Sequence, residues 1–135
     1  MEIRALIVDD SAIMRGLMMR ALREAEIGSF TFIEAATTGD ALAKCRDNGT
    51  QICFLDGNLP ELEADTFARA LRKGCAHPIP VVLITSETPE AAERHRPEDS
   101  GVDCRITKPV RSESLRRKLR PLLRNLARPA APAVE

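Results

Sequence analysis

Leu6-Ile7-Val8-Asp9-Asp10-Ser11 is the stretch that decides the fold. The short apolar run from Ile3 to Val8 suits a strand covered on both faces. It stops on two carboxylates, and Ser11 is placed to start a helix. The same ending recurs along the chain. Asp56 closes Ile52-Cys53-Phe54-Leu55, Thr85 follows Val81-Val82-Leu83-Ile84, and Lys108 follows Arg105-Ile106-Thr107. If these strands are parallel neighbours, five polar residues gather at one edge of one sheet.

Outward from that motif, the apolar period switches repeatedly. Residues 11–26 repeat at helical spacing, with Ile13, Met14, Leu17, Met18, Ala21 and Leu22 in one stripe. Phe30-Thr31-Phe32-Ile33 reads as a second strand. Thr38-Gly39-Asp40 opens a short helix through Ala41, Leu42 and Cys45, which Asn48-Gly49 stops. Residues 51–55 form a third strand, and Asn58-Leu59-Pro60-Glu61 a loop. A further helix is expected from about Ala64 through Phe67 and Leu71 to Gly74. Residues 80–84 and 104–107 supply two more strands. The last helix starts near Ser112 and carries Leu115, Leu119, Leu122 and Leu126 on one stripe.

Five alternations of strand and helix argue for a doubly wound α/β fold with a parallel sheet and helices on both faces. Ligands of such sheets bind beyond the carboxyl ends of the strands. That is where the acidic residues fall.

A chain of 135 residues is most simply one domain with one core. Twenty basic and twenty acidic residues leave no global field that favours nucleic acid or membrane. The apolar runs are too short to span a bilayer, no signal peptide is visible at the N-terminus, and the expected location is cytoplasmic. Cys45, Cys53, Cys75 and Cys104 have no zinc or C-x-x-C spacing and read as small hydrophobes, with Cys75 the one to watch for oxidation.

Asp9, Asp10 and Asp56 are the oxygen donors a small hard cation such as Mg²⁺ requires. Without a metal, three carboxylates so close repel, and at least one pKa should rise. An ionised Asp can also attack phosphorus and carry an acyl phosphate. Lys108 and the Thr85 hydroxyl could then hold phosphoryl oxygens.

In their order and types these segments resemble the receiver domain of two-component response regulators. The likeness rests on residues 6–11, on Phe54-Leu55-Asp56-Gly57-Asn58-Leu59-Pro60-Glu61, on Val82-Leu83-Ile84-Thr85-Ser86 and on Thr107-Lys108-Pro109. Residues 35–42 are similar to the family's segment after strand two. The resemblance implies a flavodoxin-like five-stranded sheet of order 2-1-3-4-5, as in the chemotaxis receiver. It implies a receiver over residues 1–127 and a flexible tail over 128–135.

The resemblance also implies roles. Asp56 would be the phosphoacceptor, charged by the phosphohistidine of a sensor histidine kinase or a phosphotransfer protein. Asp10, Asp56 and the backbone carbonyl of Asn58 would ligate Mg²⁺ directly, with Asp9 acting mainly through water. Thr85 and Lys108 would bind phosphoryl oxygens, with Lys108–Pro109 cis. Asn58 and Glu87 stand at positions that tune hydrolysis in the family, and the pairing implies fairly rapid autodephosphorylation.

Several positions depart from the family. Arg105 replaces the usual switch aromatic, and the chain has no Tyr or Trp. Arg105 could instead swing between solvent and an acidic partner such as Glu87. Residues 88–97 hold alanines without a large apolar stripe, and Pro97 would interrupt a helix there. Gly57 replaces a bulkier residue and is expected to leave the site more open. Ala64, where the family often has a loop Gly, would need a left-handed conformation or a reshaped loop. Arg116, Arg117, Lys118, Arg120, Arg124 and Arg128 make the last helix basic, and Pro121 predicts a kink or a break.

The expected function is that of a stand-alone receiver, not an enzyme. It accepts phosphate on Asp56 and signals by binding a downstream protein, with no nucleic acid and no membrane insertion. The alternatives are a phosphorylation-independent adaptor and a phosphorelay intermediate. A Mg²⁺-dependent phosphohydrolase would need a second acid-base Asp close after the nucleophile, and Gly57-Asn58 supplies none.

Overall fold

A computed structural model describes residues 2–47, 49–58, 61–74, 78–86 and 101–126. Expectations for Cys75, Glu87, residues 88–97 and the tail 128–135 lie outside these residues. The elements run β1 (Glu2–Val8), α1 (Ala12–Glu24), β2 (Ser29–Ala35), α2 (Thr38–Asp47), β3 (Ile52–Asp56), α3 (Glu61–Gly74), β4 (Val81–Thr85), β5 (Cys104–Thr107) and α4 (Ser112–Arg124). The five strands form one sheet of order β2-β1-β3-β4-β5, with every pair parallel. This is the doubly wound fold expected from the alternation of strand and helix, in the flavodoxin-like order that the resemblance implies.

Strand periodicity divides the core into two layers. Leu6, Val8, Cys53, Leu55, Val81 and Leu83 point to one face, where they pack with Ala41 and Cys45 of α2 and Phe67 and Leu71 of α3. Ile7, Phe54, Val82, Ile84 and Ile106 point to the other, against Met18 and Leu22 of α1 and Leu115, Leu119 and Leu123 of α4. All five residues of β3 and all five of β4 are buried. That explains why the two strands read as unbroken apolar runs.

The register sets the active edge. Val8 pairs with Leu55, Leu55 with Leu83, and Thr85 with Thr107. Four strands therefore end nearly level.

Several expectations are corrected. Helix α3 begins at Glu61, not near Ala64. The Leu59-Pro60 step disfavours helix before the proline but does not delay one after it. Ala64 is therefore a helical residue, 4% exposed, and no left-handed loop is needed there. The stripe on α1 is narrower than its periodicity suggests. Met18 and Leu22 are buried, whereas Ile13 is 76% and Leu17 54% exposed. Helix α4 runs unbroken through Pro121 to Arg124, and Leu123 joins its buried line.

Candidate functional site

The carboxyl edge of the sheet brings three acids together. Asp9 and Asp10 follow β1, Asp56 ends β3, and one oxygen from each lies within 4.8 Å of the others. Asp9 is fixed from its own loop, since its Oδ1 accepts the Ser11 N–H at 2.9 Å. Ser11 Oγ in turn accepts from Met14 N at 3.2 Å, capping α1. Asp10 is exposed, so the cluster faces solvent.

Asp56 is only 7% exposed. Its Oδ1 accepts the Asn58 N–H at 3.1 Å and lies 3.5 Å from Lys108 Nζ. Lys108 is held in turn, because its backbone N–H donates to Thr85 O at 2.7 Å; its bond to Pro109 is cis. Thr85 ends β4 and is 2% exposed. The fold thus gathers Asp9, Asp10, Asp56, Asn58, Thr85 and Lys108 at one edge. Arg105 lies apart on β5, opposite Leu83, with its backbone oxygen bonded to Lys118 Nζ at 2.7 Å.

Asp9 is pushed above the usual carboxylate range. Burial is the largest cause, and repulsion from Asp56 and a hydrogen bond with Asp10 add to it. The Ser11 N–H and Lys108 oppose the rise. The expected rise therefore occurs, with desolvation ahead of charge repulsion. Cys53 and Cys104 are also pushed up, chiefly by burial, which suits inert core thiols.

Two features escaped the sequence. The Arg15 guanidinium of α1 donates to Asp9 O at 2.6 Å and pairs with Glu34 Oε1 at 3.0 Å. Its side chain is 16% exposed. Lys44 adds to the same anchor through Glu34 O at 2.7 Å. The spacing of Arg15 after Asp10 was visible, but its target is a backbone oxygen, which no side-chain pattern marks. The second feature is the close backbone approach at Gly57. Its N–H donates to Ile84 O at 2.6 Å, and its backbone lies flush against Thr85.

The family profile of the response regulator receiver domain matches residues 5–120. The chain belongs to this family. It is 33% identical over 96% of its length to a protein-glutamate methylesterase/protein-glutamine glutaminase of Caulobacter vibrioides, of which the match covers 39%. It is 31% identical over 88% of its length to the phosphate regulon regulator PhoB of Pseudomonas aeruginosa, of which 51% is covered. The chain therefore spans about half or less of these relatives. Among solved structures it is similar to the chemotaxis protein CheY4 of Vibrio cholerae. That match has 27% identity, a TM-score of 0.68 and coverage of 92% of this chain and 98% of that one. A response regulator from Thermotoga maritima, at 18% identity and TM-score 0.75, shares the fold over 93% of this receiver and 100% of its own chain.

Proposed function

We propose that this receiver takes a phosphoryl group onto Asp56 from a partner's phosphohistidine, with Mg²⁺ at Asp9, Asp10 and Asp56, and signals through phosphorylation-dependent protein binding. The observation that carries this reading is the setting of Asp56, a buried carboxylate with two acids on one side and a lysine on the other. The donor set is oxygen only and open to solvent at Asp10, which fits a hydrated Mg²⁺. The cation would offset the repulsion among the acids and the charge of the incoming group.

The protein's own groups divide the remaining work. Asn58 N–H and Lys108 both reach Oδ1 of Asp56, which orients the carboxylate and leaves Oδ2 to attack. The new P–O bond forms as the P–N bond of the phosphohistidine breaks. The imidazole departs neutral, its other ring nitrogen holding the proton. Lys108 and the Thr85 hydroxyl stand at the strand ends beside Asp56 and would receive the phosphoryl oxygens. Hydrolysis of the acyl phosphate would reset the site.

A protein partner suits the surface next to the acids. A groove of about 420 Å³ opens at Asp56 and Lys108 and is lined by Met14, Leu17, Met18 and Val110. The exposed Ile13 and Leu17 lie on the same helix. Among the described residues, no helix is long and apolar enough to cross a membrane.

Incubation with Mg²⁺ and acetyl phosphate, followed by intact mass, tests the reading. One phosphoryl group should be gained by the wild type and by no Asp56→Ala protein. Absence of any gain would favour a phosphorylation-independent adaptor.

A further inference from the structure

The sheet ends in two outer strands, β2 and β5, and each carries a lysine ammonium on one of its outward carbonyls. Along a parallel strand, successive residues turn their peptide groups alternately toward and away from the neighbouring strand. Ala35 O is bonded to Asp9 N, so Ala35 faces inward and Glu34, Phe32 and Phe30 face out. Lys108 N is bonded to Thr85 O, so Lys108 and Ile106 face inward and Thr107 and Arg105 face out. Lys44 Nζ of α2 donates to Glu34 O at 2.7 Å, and Lys118 Nζ of α4 donates to Arg105 O at 2.7 Å. We propose that Lys44 and Lys118 are edge guards, which close the two sides of the sheet to pairing with an edge strand of a second copy of this chain.

An open edge strand is a template for another strand, because its outward N–H and C=O groups have no partner in the sheet. A second copy is the partner to be excluded, since every chain carries both edges. The ammonium acts in two ways. It occupies an acceptor that the incoming strand needs, and it places a charge where the incoming backbone would lie. Pairing would then bury that charge or break its hydrogen bond. On β5, which is four residues long, only Thr107 remains as an outward residue with both groups open. On β2 only Phe30 and Phe32 remain, a span well short of the about five to six residues of a typical paired strand. Lys44 also pairs with Asp40 at 3.0 Å, one helical turn away. Lys118 has no carboxylate partner among the described residues, so its ammonium serves the strand carbonyl alone.

The test compares Lys44→Met, Lys118→Met and Lys73→Met. Methionine keeps the reach of the side chain and removes both donor and charge. Lys73 is an exposed lysine of α3, with no hydrogen bond or ion pair among the described residues, and controls for lost charge alone. Self-association is followed by light scattering over a range of concentrations. Strand pairing is followed by hydrogen exchange at the outward amides, Phe32 and Glu34 on β2 and Arg105 and Thr107 on β5. Each edge variant should associate at a concentration about 10-fold or more below that of the wild type. The outward amides of its opened edge should gain protection as it does so, while Lys73→Met behaves as the wild type. Wild-type association of either edge variant would overturn the proposal. So would association that leaves the outward amides in fast exchange, or equal association of Lys73→Met. If an edge variant does not fold, trace acetylation of the wild-type lysines decides. Lys44 and Lys118 should react several-fold more slowly than Lys73, and equal rates would overturn the proposal.

Discussion

Lys108 Nζ stands 3.5 Å from Asp56 Oδ1, and the Asn58 N–H reaches the same oxygen at 3.1 Å. The lysine is thus a cation competing for a carboxylate that would also bind metal. Lys108→Gln should bind Mg²⁺ more tightly than the wild type, because one positive charge beside the acids is gone. It should also be phosphorylated about 100-fold more slowly, the usual loss when an aimed donor to developing charge is removed. Titration calorimetry and intact-mass kinetics check the two effects, and weaker Mg²⁺ binding would contradict the first.

Arg15 ties the loop of Asp9 to β2 through Asp9 O and Glu34. Arg15→Gln should destabilise the protein by about 1–3 kcal/mol through loss of a charged hydrogen bond, measured by urea unfolding. Mg²⁺ affinity should fall with it, since Asp9 then keeps only the ties from Ser11 N–H and to Ala35 O. Glu34→Gln should have a smaller effect on both, because the bond from Arg15 to Asp9 O is kept.

Burial and the neighbouring carboxylates hold Asp9 above the ordinary range. The folded state therefore binds the Asp9 proton more tightly than the unfolded chain does. That contribution to stability is present in acid and is lost as pH rises through the raised pKa. With chelator present, Asp9→Asn should melt a few degrees above the wild type at neutral pH. The two proteins should converge below about pH 4, where Asp is protonated even in the unfolded chain. Excess Mg²⁺ should reverse the neutral-pH order, because it stabilises the form that binds it.

Leu22 and Ile13 belong to one apolar period, yet Leu22 is 0% and Ile13 76% exposed. Leu22→Ala should cost about 3 kcal/mol, as a large-to-small change in a packed core. Ile13→Ala should stay within about 0.5 kcal/mol, as a surface change. Urea denaturation of the two variants separates them, and equal losses would refute the assigned faces.

Much of this molecule was legible in its sequence, for a physical reason. Strands buried on both faces must be apolar, so residues 5–8 of β1, 52–55 of β3 and 81–84 of β4 announce themselves and stop sharply at Asp9, Asp56 and Thr85. Parallel order then forces those stops to one edge. What was hidden depends on neighbours in space. Helical periodicity shows that α1 has an apolar side, but not how much of that side the sheet covers, so Ile13 and Leu17 were assigned inward. The start of α3 was hidden by Pro60, whose preceding residue reads as loop. The approach of Ile84 O and Thr85 to Gly57 was hidden too, because it depends on how the end of β3 meets the end of β4.

The central claim is that Asp56 carries the phosphoryl group as an acyl phosphate. The most direct measurement is borohydride reduction after treatment with Mg²⁺ and acetyl phosphate, followed by peptide mapping. An acyl phosphate on Asp56 is reduced to the alcohol, so homoserine should appear at position 56 and only in the Mg²⁺-treated protein. An unreduced Asp56, with phosphate on another residue or on none, would contradict the account.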